Sequence, residues 1–311
     1  MSATAILLMA YGTPDTIDDI EPYLTDIRRG RKPTTEAVEE LKGRYLRIGG
    51  KSPLLEITTA QASALENQLT SRGIRTRVYI GMKHWHPYIR EVVPQIVCAG
   101  YDRIVGLVLA PHYSQMSIGG YKQTLQESAD ASGRLNVDFI ESWYDHPLFH
   151  LAVKERVENA LAQFAKPDEA ELLFTAHSLP QRILAMNDPY SAQLASSCRS
   201  VADLLGREEW SFAYQSAGQT NDKWLGPDLV EYLNDMQPAD RVGGVLVVPI
   251  GFVADHLEIL YDIDVEAQEF ARSINLELKR AESLNTSPTF ISALTDIVGK
   301  HVLSTQTVYS G

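Results

Sequence analysis

The sequence predicts an α/β fold built from two successive wound sheets. Three observations predict it. Short apolar runs of strand length alternate with longer segments of helical periodicity, the pattern of parallel sheets covered by helices on both faces. The pattern plays through twice along 311 residues, a length that accommodates two medium domains. Nearly every run stops at a residue able to do chemistry, and in open α/β sheets ligands sit outside the carboxyl ends of the strands.

In chain order, AILLMA (5–10) runs into Tyr11 and is followed by helical segments near 16–27, 34–47 and 54–72. RVYIGM (77–82) runs into Lys83 and His84, with a helix near 87–99 behind it. IVGLVLAP (104–111) ends at His112, and VDFIES (137–142) at Trp143 and Tyr144. After a helix near 147–165, ELLFTA (171–176) ends at His177, and a helix near 190–206 leads to FAYQ (212–215) and Ser216. A helix near 226–235 precedes GVLVVPI (244–250), which ends at Gly251 and Phe252 and opens a helix near 256–272. The loop PHYSQMSIGGYKQ reads as the break between sheets. The expected division is therefore 1–112 plus 288–311, with the amphipathic tail helix 288–303 packed back on the first domain, and 113–287 as the second domain. LAPHYS and FTAHSLP suggest a loose internal duplication: each is a strand end followed by a histidine and a hydroxyl.

Composition narrows the function. A net charge of −12 argues against sequence-independent nucleic-acid binding. No apolar run approaches the roughly 20 residues of a membrane span. The opening MSATAILLMAYG lacks the basic start and apolar length of a secretion signal and reads as a first strand. Two cysteines, Cys98 and Cys198, cannot build a disulfide framework or a four-thiolate cluster, and both are expected to be buried in a reducing cytoplasm. Against the acidic background, residues 28–51 hold eight basic side chains and only three acidic ones. Such a segment is either a solvated face or a rim for an anionic ligand, since arginine grips carboxylates bidentately.

Four constellations carry the chemistry. In TAHSLP (175–180), His177 leaves a buried strand and can take protons or bind a metal near neutral pH. A Ser–His hydrolase reading of His177 and Ser178 lacks any GxSxG elbow. In GFVADHLEILYDIDVEAQEF (251–270), helical spacing aligns Glu258, Asp262 and Glu266. Like charges four apart repel, so the row suggests a use: a path for a hydrated divalent cation, or a proton relay. Asp255 is expected to cap this helix, and His256 to point elsewhere. In the first half, Tyr11 within MAYGTP and the cluster KHWHP (83–87) suit a large planar anion. YQSAGQTNDKWLGP (214–227) has the length and polarity of a pocket wall.

Taken together and in order, AYGTP, RRGRKP, RYLRIGGKSPL, KHWHP, LAPHYS, ESWYDHP, TAHSLP, QSAGQT…WLGPD and PIGFVADHLEILYDID resemble the ferrochelatase family over nearly the whole chain. The resemblance implies a chelatase-like fold of two Rossmann-like domains, each a parallel four-stranded sheet flanked by helices, with the active-site cleft between them. It implies insertion of ferrous iron into a porphyrin, with His177 and Glu258 as the metal-binding, proton-handling pair and Asp262 and Glu266 on the outer iron path. AYGTP resembles the coproporphyrin III branch, in which Tyr11 would be an axial ligand to the iron of the product, coproheme. In that branch Arg28, Arg44, Tyr45, Ser52 and Tyr121 would contact the macrocycle and its propionates, with Lys83 and His84 as further porphyrin contacts. Four propionates would match the basic segment better than the two of protoporphyrin. The resemblance further implies a cytoplasmic monomer without an iron–sulfur cluster or stable membrane insertion, needing no cofactor beyond the substrate iron. A regulatory divalent metal at Asp262 and Glu266, and transient hand-off of product to a coproheme decarboxylase, belong to the same expectation. A protoporphyrin IX ferrochelatase, a class II chelatase for cobalt or nickel, and a non-catalytic tetrapyrrole carrier are the alternatives.

Overall fold

The computed structural model describes residues 3–133, 135–218, 220, 222–237 and 243–304. The chain divides into two compact units. The first takes the described residues up to 46, 50–143 and those from 285 onward; the second takes 47–49 and 144–284.

In the first unit, β1 (Thr4–Ala10), β2 (Arg77–Met82), β3 (Arg103–Val108) and β4 (Asn136–Ile140) form one parallel sheet in the order β2-β1-β3-β4. The central strands β1 and β3 are buried on both faces, which is why they read as unbroken apolar runs without alternation. Helices α1 (Ile20–Ile27), α2 (Thr35–Arg47), α3 (Leu54–Ser71), α4 (Ile89–Cys98) and α5 (Ile118–Ala131) alternate with the strands. Leu7 and Met9 of β1 meet Ile89, Val93 and Ile96 of α4 and Leu125 of α5 in one apolar core.

The second unit repeats the plan. Helices α6 (Pro147–Leu161), α7 (Tyr190–Leu205), α8 (Leu229–Asp235) and α9 (Gln268–Ser273) accompany β5 (Glu171–His177), β6 (Ser211–Gln215), β7 (Val245–Val248) and β8 (Leu278–Arg280). The sheet order is β6-β5-β7-β8, again parallel. Ahead of α9 the chain widens into a π-helical stretch, Ile259–Ala267. Such segments are rare and concentrate at functional sites.

Helix α10 (Pro288–Ser304) belongs to the first unit and lies against α3. Gln68 donates to Ser292 at 2.9 Å and accepts from Thr295 at 2.9 Å, while Gln61 donates to the carbonyl of Asn285 at 2.8 Å. No helix among the described residues is long and apolar enough to cross a membrane.

Three expectations are corrected. The break does not fall in residues 111–125: that segment enters helix α5, and β4 completes the first sheet by pairing with β3, Gly106 opposite Phe139. The division comes after Trp143, whose backbone N–H donates to Pro111 and whose indole donates to the carbonyl of Val108 at 3.1 Å. Cys198 is buried but Cys98, at the end of α4, is exposed. The duplication is real as topology but not in the register LAPHYS suggested. Matching the strand orders aligns β5 with β1 and β7 with β3, so His177 corresponds to Tyr11 rather than to His112.

Candidate active site

In each sheet the strand order reverses beside the first strand, between β1 and β3 and between β5 and β7. That reversal opens a crevice at the carboxyl ends, where ligands of wound sheets bind. The residues leaving β1 and β5 there are Tyr11 and His177.

In the first unit, two backbone bonds carry the β1–β2 pairing past the strand ends: Lys83 N–H to Ala10 and His84 N–H to Tyr11, each 2.9 Å. The Tyr11 phenol therefore emerges beside the His84 ring, centroids 4.7 Å apart, and remains 42% exposed. Gly12 follows at φ +100°, and a Cβ there would lie 2.9 Å from the backbone nitrogen of Trp85, so only glycine fits this turn. His84 Nδ1 meets Asp26 at 2.9 Å; burial lowers its imidazole further than that carboxylate raises it. The Lys83 ammonium lies 4.7 Å from the centre of the Tyr121 ring, above Gly120. Burial, followed by the nearby Arg29 guanidinium, pulls it down to about 8.

The basic segment is partly neutralised. Lys42 pairs with Glu39 at 3.0 Å, Arg44 with Glu40 at 3.1 Å and Lys51 with Glu56 at 2.9 Å. Among the described residues Arg28 and Arg29, just past α1, have no ion-pair partner. Of the other expected macrocycle contacts, Tyr45 is buried with its hydroxyl 2.8 Å from Thr13, and Tyr121 is buried beneath Lys83. Ser52 is buried, and its Oγ accepts the Leu54 N–H at 3.4 Å. His112, expected at the mouth, is only 2% exposed.

In the second unit the pair read from the sequence comes together. His177 Nδ1–H donates to the Ser178 carbonyl, which leaves Nε2 facing Glu258 Oε1 at 3.4 Å. The Tyr190 hydroxyl donates to the His177 carbonyl at 2.9 Å, and the Gln215 amide donates to the Glu258 carbonyl at 3.1 Å, fixing both backbones. Burial pulls the His177 imidazole down, but the Glu258 carboxylate outweighs it and pushes the group up to about 9. Burial raises Glu258 in turn, and His177 and His256 together hold it well below the usual carboxylate range. His256 does not point elsewhere: its Nδ1–H donates to Ala254 at 2.8 Å and its Nε2 lies 3.5 Å from Glu258 Oε2. Each imidazole thus has Nδ1 committed to a backbone carbonyl and Nε2 turned to one carboxylate, the orientation seen in metal-ligating histidines.

The acidic row is buried most deeply at its middle residue. Glu258 is half-buried, Asp262 is buried and accepts from the Ser216 hydroxyl, and Glu266 is exposed. Asp255 is held by Arg280 at 3.2 Å and Ser283 at 2.8 Å, just before the helix it was expected to cap. Ser178 is no nucleophile: it is buried and its hydroxyl donates to Leu225 at 2.7 Å. Gln219 and Asn221 of the expected pocket wall lie outside the described residues.

The ferrochelatase family model matches residues 3–302. The chain is 45% identical over 303 residues to a ferrochelatase of Herpetosiphon aurantiacus, covering 96% of this chain and 99% of that protein. It is 42% identical over 299 residues to coproporphyrin III ferrochelatases of Bacillus pumilus and of Bacillus subtilis, covering 95% of this chain and 96% of each. In fold it is similar to the Bacillus subtilis SirB structure with Fe3+, with a TM-score of 0.61 over 98% of both chains at 11% identity. It is also similar in fold to CbiX, the terminal enzyme for biosynthesis of siroheme in denitrifying bacteria, with a TM-score of 0.53 over 95% of this chain and 98% of that one, at 10% identity. The match spans both sheets and every motif described above, so the resemblance read from the motifs becomes a conclusion: the chain belongs to the ferrochelatase family and is a metal chelatase.

Proposed function

We propose that this chelatase inserts ferrous iron into coproporphyrin III to give coproheme, with His177 and Glu258 as the reacting pair. The observation that carries the reading is the imidazole–carboxylate pair at 3.4 Å, at the reversal point of the second sheet and at the head of the row Glu258, Asp262 and Glu266. Insertion must remove two protons from the inner nitrogens of a free-base porphyrin and bring in a dication. With Glu258 pushing its imidazole up to about 9, His177 would carry a proton near neutral pH before metal arrives. A cation arriving past Glu266 and Asp262 would lower the imidazole and drive that proton out through Glu258 and His256. The neutral Nε2 can then accept the two pyrrole protons in turn, and Glu258 can carry each away to solvent, which is general base work at a tuned pKa. Asp262 and Glu266 would feed the metal inward, and a regulatory divalent ion would use the same two carboxylates.

The substrate reading is supported by relatives named for coproporphyrin III and by the tyrosine at the end of β1. Tyr11 would meet the product iron. Arg28, Arg44 and Lys83 would hold propionates, with Tyr45, Tyr121 and His84 lining the macrocycle and Ser52 holding the turn before α3. We further place the enzyme in the cytoplasm as a monomer that works without an iron–sulfur cluster and passes coproheme to a decarboxylase.

An anaerobic absorbance assay tests both levels. With ferrous iron, coproporphyrin III is expected to be metallated with higher kcat/KM than protoporphyrin IX; the reverse order would retire the substrate assignment. Glu258→Gln is expected to bind porphyrin and insert nothing. Undiminished insertion by that variant would retire the site.

A further inference from the structure

Glu258 belongs to a segment gripped on both sides by one side chain. Arg280, the last residue of β8, is largely buried. Its guanidinium meets Asp264 with two parallel bonds, Nε to Oδ1 at 2.7 Å and Nη2 to Oδ2 at 2.8 Å. Its remaining nitrogen, Nη1, reaches Asp255 Oδ1 at 3.2 Å, and the Ser283 hydroxyl completes that carboxylate at 2.8 Å. Asp255 stands immediately before His256, and Asp264 lies within the π-helical stretch. The segment between the two anchors therefore begins with His256 and contains Glu258 and Asp262.

The geometry points to Arg280 as a positioning residue for metal insertion: it clamps the chain at 255 and at 264, so that His256 and Glu258 keep a fixed spacing while charge passes between them. This rests on the reading of Glu258 as the proton- and metal-handling group. A planar fork suits the task and a lysine does not, since an ammonium cannot grip one carboxylate twice and still reach a second. The widened helix supplies the need. Its wider turn fits the chain less well than an α-helical one and calls for outside support. β8 is held in register with β7 by the Leu246–Lys279 and Val247–Arg280 pairs, which gives the clamp a rigid base.

The test compares Arg280→Lys, Asp264→Asn and the double variant in the full chain. Porphyrin affinity is read by fluorescence quenching, kcat by anaerobic iron insertion, and folded fraction by circular dichroism. Each single variant is expected to lose about 10–100-fold in kcat, the usual cost of removing an outer partner of a metal-site ligand, with porphyrin Kd unchanged. The double variant is expected to be no worse than either single, because the two residues act as one device. Wild-type kcat in Arg280→Lys, losses that multiply in the double, or losses fully explained by a smaller folded fraction would overturn the assignment. If Arg280→Lys does not fold, Asp264→Asn, which keeps size and shape, decides alone. Glu258→Gln run alongside separates the two readings. An inactive Glu258→Gln with a fully active clamp variant overturns the clamp and leaves the site standing; an active Glu258→Gln overturns the site itself.

Discussion

Lys83 and His177 are opposite cases of one rule, that a group's pKa records what folding does to its charge. For Lys83, burial and Arg29 oppose the ammonium, so the folded chain releases its proton near 8 while the unfolded chain holds it to 10.5. Between those values the unfolded state binds more protons, and stability rises with pH. Lys83→Met is therefore expected to raise the melting temperature at pH 7, with a gain that shrinks to nothing between pH 8 and 10.5. Scanning fluorimetry across that range checks it. For His177 the sign is reversed. Burial opposes the charge but Glu258 prevails, so the imidazole's contribution is full below 6.5 and fades as pH rises through about 9, while that of Glu258 is lost only as pH falls below the usual carboxylate range. Histidine nitrogen resonances should show His177 titrating near 9 in the wild type and falling back toward 6.5 in Glu258→Gln.

Two elements come close together where the second sheet opens. Gly251, just beyond β7, has no room for a side chain: a Cβ would lie 2.5 Å from the Cβ of Ala176 and 2.9 Å from its Cα. Gly251→Ala must displace the end of β5 and with it His177, so it is expected to cost about 1–3 kcal/mol in urea unfolding and to lower activity as well. Gly106→Ala is the milder comparison, because its nearest neighbour is the flexible tip of Leu125 at 2.6 Å. What the sequence made legible follows from the same physics. β1, β3, β5 and β7 stood out because strands buried on both faces are apolar throughout. α5 was hidden by Gly119 and Gly120 in its first turn, which read as loop, although Gly120 leaves space for Lys83. β8 was hidden by its three residues, two of them charged. His177 and Glu258 were legible from a strand end and a charge row. His256 was not, because it precedes the helix whose period was used to aim it.

At the scale of the molecule, two sheets of identical strand order carry different chemistry at equivalent positions: a phenol after β1, an imidazole after β5. The plan supplies the crevice, and under the proposed mechanism the residue at the strand end would supply the reaction. The first unit is discontinuous in sequence, since α10 returns to α3 and Phe290 packs 6.0 Å from Trp143. Ending the chain after Leu284 is expected to strip hydrogen-exchange protection from β1–β4 while amides of β5–β7 keep theirs. Equal loss in both units would show that they unfold as one.

That return of α10 also orders events on the ribosome. Residues 144–284 emerge as one unbroken stretch and can collapse as soon as they are out. The half that was translated earlier must wait, with the apolar flank of α3 uncovered, until the closing helix arrives. Birth order and maturation order are thus inverted, and during that interval the nascent first half is the part that chaperones would have to shield.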